Sequence, residues 1–203
     1  MHWQRLDRDG TLKVIDSVKS ASDPGLITAG TSEVERARLL FYENIYLYKI
    51  TNYASLPSFT FEYLGDGTFF QYLDGTEVPI YAVNDKGGLI LAPETAVPYL
   101  EFFFRHVSGE DGVESVVMKN PQDMPMIDSL DGAAYESIIR GHRKPEVKAD
   151  NRGGFVVETD LYEDGALIRA GITISASGRV AVVGRKMVTH TLARGAGAEG
   201  RNV

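Results

Sequence analysis

Cysteine is absent from the 203 residues, which removes disulfides, thiolate nucleophiles, iron–sulfur ligation and zinc sites built on sulfur. Long apolar runs are missing too, since nothing approaches the roughly 20 residues a bilayer-spanning helix needs. From Met1 to Lys19 charged residues alternate with single apolar ones, without the apolar stretch of a secretory leader. The expected location is therefore cytoplasmic. Positive charge is also in short supply: the net charge is −7 and the pI about 5.1. Such a field repels phosphate backbones and anionic lipid, so neither nucleic acid nor membrane is an expected partner.

The common catalytic signatures are missing as well. There is no Gly-x-Ser-x-Gly, no phosphate-binding loop and no His-Glu-x-x-His. Gly195, Gly197 and Gly200 have dinucleotide-binding spacing, but the three residues that follow cannot supply the helix that faces a pyrophosphate. No cofactor is expected. Nor is a metal, because His106, His142 and His190 come from separate segments with no ligand spacing. Asp7 and Asp9-Gly10 lack the further acids of a calcium loop.

What is present describes a globular chain. Hydrophobic residues make up 43% and charged ones 24%, and a chain of this size buries roughly 70% of the surface its unfolded form exposes. Asp9-Gly10 between apolar residues suggests a short hairpin over Trp3 to Ile15, and Ser20 to Gly30 reads as a linker. Ser32 with Glu35 fits a capping box. Val34, Ala37, Phe41, Ile45 and Tyr48 then follow at spacings of three and four, so a helix is expected over 32–50. From Pro57 the period becomes two, with turns at Gly65-Asp66-Gly67, Asp74-Gly75 and Asp85 to Gly88, which reads as a four-stranded meander ending at Ala92.

A second helix is expected from a cap at Thr95 to Gly109, with Pro98 in its first turn and Val97, Leu100, Phe104 and Val107 as its apolar stripe. Val113 to Lys119 reads as a strand, 120–132 as a long irregular loop, and Ala133 to Arg140 as one or two helical turns. Strands are expected at 146–149, 155–162, 166–175 and 180–188, separated by Asp164-Gly165 and Ser177-Gly178.

The expected fold class is α+β, mostly antiparallel curved sheet with two main helices. The element order is similar to that of a cystatin-like/NTF2-like or hot-dog-like roll, a similarity of order that carries no function. The expected organisation is an arm and linker (1–30), one α+β domain (31–190) with halves at 31–93 and 94–190, and a disordered tail (191–203).

His106 sits where a helix ends, and the helix dipole with the free carbonyls explains a cation there completely. Its chemical alternative is a general acid or base, paired with Glu101 or Asp160. Arg140 and Arg143, with His142 and Lys144, form the densest basic run and suit a carboxylate or phosphate, although a solvated turn before Pro145 is the plainer account. Aromatics concentrate between Phe41 and Tyr81. Most belong in a core, but tyrosine hydroxyls need partners, so Tyr46, Tyr63 and Tyr72 are candidates to line an amphipathic pocket or an interface. The residues therefore point to a non-catalytic module that binds a small apolar or amphipathic molecule or a protein, with a homodimer through a sheet edge or the Tyr-rich face. The alternative is a cofactor-independent isomerase, dehydratase or hydrolase.

Overall fold

A computed structural model of the chain describes residues 1–19, 27–109, 112–125 and 127–190. Most of the expected linker and all of the expected tail lie outside them. The chain is α+β, and its described residues form two open antiparallel sheets of five strands each and four helices.

The first sheet is a meander in chain order: β1 (Trp3–Arg5), β2 (Ser32–Arg38), β3 (Tyr46–Asn52), β4 (Phe59–Gly65) and β5 (Phe70–Tyr72). Three expectations are corrected here. The segment from Trp3 to Ile15 is no hairpin. Trp3 pairs with Ala37 on β2, and α1 (Arg8–Lys19) follows, with the Gly10 N–H donating to Asp7 Oδ1 in its first turn. Residues 32–50 are no helix but two strands, with Val34 opposite Ile50 and Ala37 opposite Leu47. The apparent capping pair is dispersed, as Ser32 opens β2 and Glu35 bridges to Lys49 on β3 at 2.6 Å. The helical spacing of Val34 through Tyr48 fails because those residues are shared between two cores on opposite faces of the sheet. Finally, the third expected strand of the meander is α2 (Val78–Asn84), where Pro79 is tolerated in the first turn and Ile80 and Val83 face inward. Leu89 to Ala92 add no strand to the sheet, and Leu89 makes only an isolated antiparallel bridge to Tyr42 in the connection between β2 and β3.

The second half follows its expected order of elements, but Pro98 lies inside the second helix rather than in its first turn, and the buried apolar face is Ala96, Tyr99, Leu100, Phe102 and Phe103, with Val97, Phe104 and Val107 only half-buried. α3 (Pro93–His106) begins two residues before Thr95, whose hydroxyl accepts from the Ala92 N–H at 2.8 Å and donates to the Ile90 carbonyl at 3.0 Å. Then come β6 (Val116–Met118), two short 3-10 turns, α4 (Gly132–Gly141), β7 (Glu146–Ala149), β8 (Phe155–Glu163), β9 (Ala166–Ile174) and β10 (Val180–His190). The sheet runs β10-β9-β8-β6, with β7 sharing the β6 edge of β8 end to end.

Strand alternation sorts the side chains into three cores. Leu47 and Leu64 from the first sheet, Ile80 and Val83 from α2, Leu100 and Phe103 from α3, and Val157 and Ile172 from the second sheet form one central cluster. α2 and α3 therefore lie between the sheets. The outer face of the first sheet takes Val14, Ile15 and Val18 of α1 against Val34, Ile50 and Tyr63. The outer face of the second takes Ile138 of α4 against Met118 and Leu167. Burying each such aliphatic side chain is worth about 2 kcal/mol. A buried polar chain links the elements: Tyr42 donates to Asn84 Oδ1 (2.5 Å), Asn84 donates to Tyr99 Oη (2.9 Å), and Tyr99 donates to the Gly178 carbonyl (2.6 Å). Burial pushes the Tyr42 and Tyr99 phenols far above their ordinary value, so both act as neutral donors.

Candidate functional site

The last two turns of α3 build the site, because helical spacing sends alternate residues to opposite sides. Phe102 and Phe103 face the core, whereas Phe104 is half-buried and Arg105 exposed. Two shallow cavities meet at Phe104, Arg105 and Glu114. One, of about 410 Å³, runs past Glu101 and Ser115 to Val117. The other, of about 230 Å³, is bounded by Glu62, Tyr72 and His106. Together they form a trough with Phe104 in its wall, between the edge of the first sheet and the segment leading into β6.

His106 forms the inner wall of the smaller cavity, its side chain 5% exposed. Its Nδ1 lies 2.7 Å from the Phe102 carbonyl and its Nε2 3.0 Å from Glu62 Oε2. Both ring nitrogens thus face oxygen acceptors. A carbonyl cannot donate, so Nδ1 carries a hydrogen, and the remaining proton lies between Nε2 and the carboxyl. The hydrogen bond from His106 holds the Glu62 carboxyl below its ordinary value against the opposing effect of burial. The His106 ring also lies 4.3 Å, centroid to centroid, from Phe102.

Neither carboxylate expected beside His106 is there. Glu101 pairs with Lys119 at 2.7 Å and holds that ammonium above its ordinary value. Asp160, fully buried on β8, pairs with Arg169 at 3.0 Å and accepts the Arg143 N–H at 2.7 Å. His142 joins this second cluster. Its Nε2 lies 3.3 Å from the Lys119 carbonyl, while its Nδ1 stands 3.3 Å from Asp160 Oδ2 without hydrogen-bond geometry. Arg169 also donates to the Gly141 carbonyl at 2.7 Å. The cluster fastens the end of α4 to the second sheet.

The other candidates are dispersed. Tyr63 is buried under α1, Tyr46 is half-buried beneath the Arg36 guanidinium, and Tyr72 borders the trough. Arg140 is exposed and donates to its own helix at the Glu136 carbonyl, and Arg143 is also exposed, joining the Asp160 cluster only through its backbone N–H. Among the described residues no group of three or more His, Asp or Glu side chains is placed to hold a metal ion. No helix among them is long and apolar enough to cross a membrane. Sequence reasoning missed Glu62, Phe104, Arg105 and Glu114 as neighbours. Of these, only the adjacency of Arg105 to His106 at a helix end was available as a signal. Against known protein families, characterised proteins and solved structures, the chain has no match.

Proposed function

We propose that the protein is a binding module that holds a small amphipathic molecule in the trough along the end of α3 without transforming it. One observation carries this reading: the half-buried Phe104 ring lies where the two cavities join, with the Arg105 guanidinium beside it and Glu62 and Glu114 on the rims. An apolar body can cover Phe104 and Val116 while a polar head meets Arg105, the mixture typical of sites that orient a ligand. The buried His106 supports a structural part for itself, since both of its nitrogens are already engaged. Open sheet edges support self-association.

The anionic dye 8-anilinonaphthalene-1-sulfonate tests the site, because it combines an aromatic body with one acidic head. It should brighten with the wild-type protein, and Phe104→Asp and Arg105→Glu should each weaken it by about tenfold or more. Equal titrations for all three proteins would remove the trough from the proposal. Arg105 is exposed, so its variant reports on binding rather than on folding.

The acid–base enzyme keeps one supporting observation, that Glu62 borders a cavity with a histidine behind it. In that reading Glu62 takes the proton and His106 positions the carboxylate. An isomerase, dehydratase or hydrolase activity that vanishes in Glu62→Gln would favour it over the binding module.

A further inference from the structure

Phe104, Arg105 and Glu114 border both cavities of the trough, so its junction brings together one aromatic ring, one guanidinium and one carboxylate. The other carboxylates near it are engaged. Glu62 is joined to His106 at 3.0 Å, Glu101 pairs with Lys119 at 2.7 Å, and Glu163 is held by Arg185 and by the Ser115 hydroxyl. Arg105 and Glu114 are different. Both are exposed, and neither side chain makes a hydrogen bond or an ion pair with any described residue. The Arg105 charge acts on Glu62 only at a distance, as a smaller cause of its lowered carboxyl than the His106 hydrogen bond.

We infer that the trough takes an apolar zwitterion, a molecule with one carboxylate and one ammonium beside an apolar body, as in a free aromatic amino acid. This rests on the binding reading above and names the class of ligand. Charge decides among the alternatives. A simple carboxylic acid satisfies Arg105 but stands against the Glu114 carboxylate, and a simple amine meets Glu114 but is opposed by Arg105. A ligand carrying both signs leaves neither group facing its own kind. In an α-amino acid the two charges and the side chain leave from one carbon or its immediate neighbour, which matches a junction where both charged residues border the cavities that Phe104 also walls. The carboxylate suits the guanidinium fork, with its two parallel N–H donors. An aromatic body suits the Phe104 ring, and Val116 on one side and Tyr72 on the other continue the apolar wall. The larger cavity, about 410 Å³, is of the size of small-molecule sites. Because Arg105 and Glu114 are exposed, each charge contributes a modest factor, about fivefold in affinity.

Displacement of 8-anilinonaphthalene-1-sulfonate from the full-length protein at about pH 7 tests the class with three competitors that share one body: phenylalanine, 3-phenylpropionate and phenethylamine. Phenylalanine should compete best, by about fivefold over each of the others. Glu114→Gln should act with opposite signs. Phenylalanine should weaken by about fivefold, whereas 3-phenylpropionate and the anionic dye, both repelled by that carboxylate, should bind more tightly. A folding defect would weaken all of them together, so the split reports the charge at the junction. Phenylalanine that competes no better than 3-phenylpropionate, or that loses nothing in Glu114→Gln, would overturn the inference. Where the dye signal still depends on Phe104, that result removes the ligand class alone and leaves the trough as a binding site, which keeps this test separate from the first.

Discussion

Asp160 has no exposed surface, and Arg169, the Arg143 N–H and the neighbouring His142 ring together make its burial tolerable. Removing the charge in Asp160→Asn leaves the Arg169 guanidinium without its counterion, a loss worth about 3 kcal/mol. Urea denaturation should record it, and a loss under about 1 kcal/mol would mean that packing holds α4 in place. Glu62 gives a pH signature. Its folded-state carboxyl is lowered from 4.5, so its contribution is complete above that value and is lost as pH falls through the lowered one. Stability measured from pH 7 toward 3 should fall more steeply for wild type than for Glu62→Gln below about pH 4.5. Parallel curves would contradict the His106–Glu62 pairing. His106 was legible as a histidine closing a helix. Glu62 was not, because it lies 44 residues away and reaches the ring only through the fold of the first sheet.

Among the elements, the β8–β9–β10 meander was readable because Asp164-Gly165 and Ser177-Gly178 mark the turns and β-branched residues fill the strands. The first sheet was misread where residues buried on both faces imitate a helical stripe. Val34 and Tyr48 belong to the α1 core, whereas Phe41 and Ile45 belong to the central one. Periodicity cannot separate two faces when both are covered. The β9–β10 turn also locks the central layer. Gly178 has φ +77°, and a Cβ there would come within 2.5 Å of Asn84 Nδ2 and 2.8 Å of Tyr99 Oη. Gly178→Ala should lower stability by about 2 kcal/mol or more, through backbone strain and displacement of the Tyr42–Asn84–Tyr99 chain. Thermal unfolding checks it, and an unchanged midpoint would show that the turn relaxes freely.

At the scale of the whole molecule, the central cluster draws from both sheets and from α2 and α3, so neither half buries its own apolar face alone. One cooperative transition should therefore appear in urea. Fluorescence of Trp3, the sole tryptophan, reports the first sheet, and far-ultraviolet dichroism reports all strands; the two should share a midpoint. Separated midpoints would mean two units that fold independently. The interior trough wall was hidden from the sequence because Phe104 looked like one more core aromatic, and its half-burial follows from how α3 sits between the sheets. The most direct measurement of the proposed function is a native mass spectrum of the full-length protein, gently purified from its own cells. The account predicts a bound small organic mass that is absent from Phe104→Asp purified in the same way. A wild-type spectrum showing the bare polypeptide mass alone would contradict it.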